Sequence, residues 1–278
     1  MAKISAKEVN ELRKRTGVGM MDCKKALQEA EGDFDKAIEI LRKKGQKLAN
    51  KRADRSANEG YVIAKASQDG KFAAMMMLNC ETDFVAKNSD FVAFANKLID
   101  IAIVNKAANL DEFKAIKLDD KTVSEAVIEM VGRTGEKLEL SAYNSLSAES
   151  VAVYNHQGNR LASILSMNIP ITDAIVKVGH EVAMQIAAMN PAGLDESDVP
   201  AEILEKELEI GREQARKEGK PEQIIEKIAQ GKLNKFLKEN TLVNQESIRE
   251  AKTSVKDYLK KTDKDLAVTK FFRLELGE

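Results

Sequence analysis

Tyr61-Val62-Ile63-Ala64, then Gln68-Asp69-Gly70-Lys71, then Phe72-Ala73-Ala74-Met75-Met76-Met77-Leu78: two apolar runs flank a turn. Short apolar runs of this kind read as strands, and Asp-Gly between them is a strong hairpin signal. Cys80-Glu81-Thr82-Asp83-Phe84-Val85-Ala86-Lys87-Asn88-Ser89-Asp90 comes next and leads into Phe91, Val92, Phe94, Ala95, Leu98, Ile99, Ala102 and Ile103 at helical spacing. The same order recurs. Val151-Ala152-Val153-Tyr154 reads as a strand, His156-Gln157-Gly158-Asn159 as a turn and 161–167 as a second strand. A helix over 172–189 carries Ile175, Val178, Val182, Ile186 and Ala187. A hairpin-plus-helix unit used twice is an internal repeat. Each copy is a small sheet that a helix covers, so the fold class is α+β with a core of two related subdomains. Between them, 121–131 reads as a helix and 137–140 as another strand.

Outward from this core, both flanks are helical. At the N-terminus, Ser5 and Glu8 form a capping-box pattern ahead of Val9 and Leu12, and Gly17-Val18-Gly19 breaks that helix. A second helix carries Cys23, Ala26, Leu27 and Ala30 and stops at Gly32. Asp33 caps a third, with Phe34, Ala37, Ile38 and Leu41, and Gly45 is expected past its end. Residues 1–45 are therefore expected to form a three-helix bundle. Residues 46–58, basic and polar with Leu48 as their one large apolar residue, read as a partly helical linker. The core subdomains are expected over 59–144 and over 145–195, the latter completed by 240–278. Residues 196–239 read as an antiparallel helical hairpin. Ile203, Leu204 and Leu208 lie on one side of the turn Glu218-Gly219-Lys220-Pro221, and Ile224, Ile225, Ile228, Leu233 and Phe236 on the other. A helix near 248–259 and a closing strand over 271–276 finish the chain.

Composition narrows the function classes. Of 278 residues, 43% are hydrophobic and 32% charged, which is enough for a packed core and argues against disorder. The 44 basic and 45 acidic side chains leave a net charge of -1, whereas neutralising many phosphates calls for a basic excess. With no tryptophan and 5% aromatics, stacking platforms for bases are scarce, so direct nucleic-acid binding is not expected. Cys23 and Cys80, outside any CxxC spacing, suit a reducing cytoplasm and nominate no zinc site. No apolar h-region opens the chain, and no run approaches the ~18 apolar residues of a membrane span, so neither a secretory signal nor a membrane anchor is expected.

A search for chemistry returns little. His156 and His180 are the only imidazoles, and neither lies near a cysteine or a Ser-Asp pair in sequence. GxxxxGK[ST], GxGxxG and HExxH are missing, so no catalytic residue, metal or cofactor is nominated and the chain is read as a non-enzyme. Two features stand out instead. Thr82 and Asp83 are ordinary turn and cap residues, but Phe84 beside them either folds under the following helix or protrudes as an aromatic wedge next to a carboxylate. Met20 and Met21, just after a glycine break, are either core filler or a soft contact surface.

Together these residues carry a resemblance. The run 11–27, from Glu11-Leu12-Arg13-Lys14-Arg15-Thr16-Gly17-Val18-Gly19-Met20-Met21 through Asp22-Cys23-Lys24-Lys25-Ala26-Leu27, resembles the N-terminal signature of the elongation factor Ts family. Asn79-Cys80-Glu81-Thr82-Asp83-Phe84-Val85-Ala86 resembles its second signature, and the likeness runs on to Phe272-Arg273-Leu274-Glu275-Leu276-Gly277. The resemblance implies a ubiquitin-associated-like N-terminal bundle and a coiled-coil hairpin. It also implies guanine nucleotide exchange in translation elongation: binding elongation factor Tu·GDP, disturbing its Mg²⁺ site, releasing GDP and leaving a nucleotide-free complex. The positions it nominates are Thr82, Asp83, Phe84 and Val85 at the Mg²⁺ site, with Met20, Met21, Lys24 and His156 as further partner contacts. His156 can equally be a turn residue without consequence, and a homodimer is left open. Two departures stand out: some members carry an additional C-terminal helical segment, whose contact is expected to be missing here, and some have glutamine where this chain has Glu81. The competing expectations are a ubiquitin-associated-like binding adaptor without exchange activity and a cysteine enzyme using Cys23 or Cys80.

Overall fold

A computed structural model describes residues 4–278. Helices α1 (Ala6–Thr16), α2 (Met20–Glu29) and α3 (Phe34–Lys51) enclose a small core of Val9, Leu12, Cys23, Ala26, Leu27, Ala37 and Leu41. The capping box is made: the Glu8 N–H donates to the Ser5 hydroxyl, and the Ser5 N–H donates to the Glu8 carboxylate at 2.7 Å. Gly17 takes the left-handed conformation that closes α1.

The expected break at Gly45 is absent, because α3 continues to Lys51. Gly45 is there for a close approach instead. A Cβ built on it would lie 3.4 Å from the Ile128 carbonyl and 3.6 Å from the Gly132 Cα of a later helix. The gap accepts a methyl group and nothing longer. Leu48 and Ala49, in the stretch read as linker, pack against the main core.

Next come β1 (Glu59–Ala66), β2 (Phe72–Cys80), α4 (Asp83–Ala86), α5 (Ser89–Asn105), α6 (Leu110–Ala115), β3 (Lys117–Leu118), β4 (Lys121–Thr122), α7 (Val123–Thr134) and β5 (Leu138–Ser147). Strands β1, β2 and β5 form an antiparallel sheet in that order. The strand expected over 137–140 is longer than expected, so the boundary drawn at 144 falls inside it. A second antiparallel sheet is built from β6 (Ser150–Asn155), β7 (Leu161–Met167) and β8 (Val268–Glu275). The closing strand thus pairs with β7, as Ile164 opposite Phe272 shows. Between β7 and β8 lie α8 (Asp173–Met189), α9 (Ala201–Lys217), α10 (Glu222–Asn240) and α11 (Val255–Thr262). The helix expected near 248–259 begins only at Val255, capped by Ser254. The residues before it are tied down by side chains: the Ile248 N–H donates to the Gln185 amide oxygen at 2.8 Å.

The expectation of one face per sheet, each covered by a helix, needs enlarging. All nine residues of β2 are buried. Ala74, Met76 and Leu78 face α5, α6 and α7, while Ala73, Met75 and Met77 meet Ala162 and Ile164 of the other sheet. Leu165 and Met167 turn the opposite way, onto Ile175, Val178 and Val182 of α8. The body is therefore helix, sheet, sheet, helix, and a strand buried on both faces has no reason to alternate. The outer edge of β1 is closed by the second unit. The Asn155 amide pairs with both backbone groups of Ala64 at 2.7 and 2.9 Å, and the Val62 N–H donates to the Asn159 carbonyl at 2.7 Å.

Candidate partner-binding site

The chain leaves β2 at Cys80 and turns at once. Thr82 caps α4, its hydroxyl accepting from the Val85 N–H. The same hydroxyl and the Thr82 N–H both donate to the Glu136 carboxylate, at 2.6 and 3.0 Å. Asp83 pairs with Lys87 at 2.7 Å, a hydrogen bond that holds its carboxyl below the ordinary range. Val85 packs inward against the core. Phe84 points the other way and is 84% exposed, the most exposed of the large apolar side chains among the described residues. Of the two readings of Phe84, the structure selects the protruding ring. Transferring an exposed phenyl ring from water into a crevice yields about 1.5–3 kcal/mol, so the corner presents unspent binding energy.

Met20 and Met21 resolve the same way. They open α2 with 51% and 64% of their surface exposed, so they are not core filler, and Lys24 is exposed one turn on. Asp22 between them pairs with Lys44 of α3. His156 is exposed in the turn between β6 and β7. Its Nδ1 lies 2.9 Å from the Tyr154 hydroxyl, and the Tyr154 and His180 rings meet edge to face at 5.7 Å between centroids. The nominated residues thus occupy three separate surfaces: the corner after β2, the start of α2 and the β6–β7 turn.

The cysteines are sealed. Cys80 is fully buried, burial pushes its thiol up to about 12, and its Sγ–H donates to the Thr82 carbonyl at 3.1 Å. Burial likewise raises the Cys23 thiol. A thiol that stays protonated and unreachable is a poor nucleophile, which removes the physical basis for the cysteine-enzyme reading. Among the described residues, no three His, Cys, Asp or Glu side chains converge to hold a metal ion.

The family model described as elongation factor TS matches residues 81–278. It begins at the corner itself. The chain belongs to the elongation factor Ts family. The elongation factor Ts of Christiangramia forsetii is 49% identical over 277 residues, covering 100% of both chains. That of Amoebophilus asiaticus is 47% identical over 274 residues, covering 99% of each, and that of Flavobacterium psychrophilum 47% over 277 residues. Membership carries the role of nucleotide exchange factor in translation elongation, and with it elongation factor Tu as partner. Exchange makes and breaks no covalent bond. A site without an activated nucleophile, but with exposed apolar side chains on a rigid frame, suits that role.

Sequence reasoning missed the residues that hold the corner. Glu81 turns inward, not toward Phe84, and accepts from Arg52 at 2.6 Å, Arg55 at 2.8 Å and the Lys137 N–H at 2.6 Å. Burial would raise its pKa, but those three donors outweigh it and bring the group to about 2. The basic run Lys51-Arg52-Ala53-Asp54-Arg55 was the available signal: two arginines beside a half-buried carboxylate make a clamp, where the sequence suggested only a tether.

Proposed function

We propose that the chain docks on elongation factor Tu·GDP, inserts the Phe84 ring beside the GTPase's Mg²⁺ site and so weakens GDP, leaving a nucleotide-free complex that GTP resolves. The observation that carries this reading is the 84% exposure of Phe84 on a turn where Thr82 bonds to Glu136, Asp83 pairs with Lys87 and Val85 packs on the core. Magnesium demands near-ideal octahedral oxygen geometry, so a displacement of a fraction of an ångström among its ligands is costly. Linkage does the rest: if nucleotide weakens the factor, the factor weakens nucleotide by the same ratio. A nucleotide held at nanomolar Kd is bound by about 12 kcal/mol, far beyond one ring, so several contacts share the work. In this reading the ubiquitin-associated-like bundle of α1–α3 contributes Met20, Met21 and Lys24 on the nucleotide domain. The second of two related subdomains contributes His156, and the α9–α10 pair is a coiled-coil arm. Asp83 competes for polar groups near the metal, while Thr82 and Val85 hold the turn. The chain needs no metal or cofactor of its own, and a reducing cytoplasm suits its two free, buried thiols.

Stopped-flow release of a fluorescent GDP from elongation factor Tu tests the reading. F84A is expected to lower the release rate at saturating factor by more than it weakens complex formation. An unchanged rate at saturation overturns the wedge. H156A is expected to weaken binding only, and normal exchange by that variant removes His156 from the contact set.

A further inference from the structure

The corner that bears Phe84 is tied by two carboxylates, Glu81 and Glu136, to the segments that follow α3 and α7. Glu81 takes Arg52 and Arg55 from the turn that ends α3. The Lys137 ammonium closes that turn from the other side by donating to the Ala53 and Arg55 carbonyls at 2.9 and 3.0 Å. Glu136, just beyond the end of α7, takes the N–H and hydroxyl of Thr82. Helices α3 and α7 themselves touch backbone to backbone at Gly45 and Gly132, and Arg133 packs over Gly17 at the end of α1. The start of α2 and the Phe84 corner are thus parts of one braced frame. Glutamine at 81 would weaken it: the amide oxygen can still accept from Arg52 and the Lys137 N–H, which share one carboxylate oxygen, but the amide NH2 would face the Arg55 guanidinium, a donor against a donor, and the charge would be lost.

We propose that Glu81 and Glu136 are positioning residues for exchange, fixing the Phe84 corner relative to the α1–α3 helices so that both surfaces engage elongation factor Tu together. The proposal rests on Phe84 being the element that enters the GTPase. Its physical content is preorganisation. A ring on a loose corner still reaches the crevice, but the ordering cost is then subtracted from the energy available to displace the magnesium ligands.

The experiment is GDP release across a range of concentrations of full-length E81Q, E136Q, F84A and the doubles E81Q/F84A and E136Q/F84A. It is joined to amide hydrogen exchange of the free factor. E81Q and E136Q are expected each to lower the plateau rate by about five- to tenfold, with a smaller change in the half-saturating concentration. Each double is expected to be no slower than F84A alone, and exchange of the 83–87 amides is expected to speed up while β1 and β2 stay protected. R55Q removes the more exposed guanidinium and keeps the fold safe should E81Q fold poorly. It is expected to slow release in the same direction, and R55K to restore most of the rate. If F84A is slow while E81Q, E136Q and R55Q keep the full plateau, the frame inference fails and the wedge reading stands. If the doubles are slower than F84A by the full single-mutant factor, the carboxylates act elsewhere and the inference also fails. If F84A itself releases GDP at the full rate, the underlying reading fails.

Discussion

The helices α1–α3 and the helical pair α9–α10 look alike in sequence, each a charged stretch with apolar residues at helical spacing, yet they are attached to the body in opposite ways. The first group is joined along the length of α3: by Gly45 against Gly132, by the ion pair of Arg42 with Asp120 at 2.8 Å, by Leu48 and Ala49 in the main core, and by Arg52 on Glu81. The second is joined at its root, where the Ala192 N–H donates to Asn240, the Leu242 N–H to Gly193 and the Val243 N–H to Leu194. Beyond the root, α9 and α10 pack chiefly on each other through Gly211, Ala215, Ile225, Ala229 and Leu233. Arg212 adds a two-pronged pair with Glu226 at 2.8 and 2.9 Å. A helix welded along its side has a fixed place, whereas a pair tied at one end depends on its own seam for stability and on its root for direction. The bundle therefore keeps a set distance from Phe84, whereas the direction of the arm depends on its root alone.

The sharpest way to break this contrast is G45L. A leucine needs three more heavy atoms than the methyl-sized gap allows, so the variant is expected to lose about 3 kcal/mol, read by chemical denaturation. Residues 52–58 should become a preferred proteolytic site. Unchanged stability and cleavage would show that α3 is not welded to α7. L233A comes next. Its cavity in the seam is expected to cost about 2 kcal/mol, felt mainly inside the arm: amides of α9 and α10 should exchange faster while β2 and β7 stay protected. Loosening of both sheets would mean that the arm is not a separate cooperative unit.

A smaller effect separates the clamp from ordinary surface charge. Glu81 is held below its ordinary 4.5, at about 2, so the stability it contributes is present above pH 4.5 and is lost as pH falls toward 2. The stability difference between the native chain and E81Q is expected to shrink through that window. A difference that is flat with pH would mean that the Glu81 charge does not support the fold. The smallest effect is expected from R212A. Its partner Glu226 is solvent-exposed, and exposed ion pairs contribute little, so no resolvable change in Tm is expected by calorimetry.

Much of the architecture was legible along the chain because its signals are local. Asp69-Gly70 marks the first hairpin, Ser5 and Glu8 the first cap, residue 172 the start of α8 and Glu218-Gly219-Lys220-Pro221 the reversal between α9 and α10, and all four act there. At the site, the unusual residue was visible but its direction was not. Phe84 in a turn reads equally as a buried staple or a wedge until Val85 is seen to take the place on the core, Thr82 to bond to Glu136 and the Phe84 ring to stand in solvent. Met20 and Met21 were ambiguous for the same reason: helical spacing places them on a face without saying what that face meets.

Element order, the repeated hairpin-plus-helix unit and the family signatures were determined by the sequence alone, because turn chemistry, caps and periodicity depend on residues a few positions apart. Tertiary structure decided what each surface faces. β2 is apolar on both sides because a second sheet arrives from residues 150–167. Gly45 is a contact and not a stop because Gly132 comes to meet it. Glu81 is a clamp and not a second surface charge because Arg52, Arg55 and Lys137 converge on it. Such roles arise between residues far apart in the chain, and a pattern read over a few residues carries no information about a partner that only folding brings near.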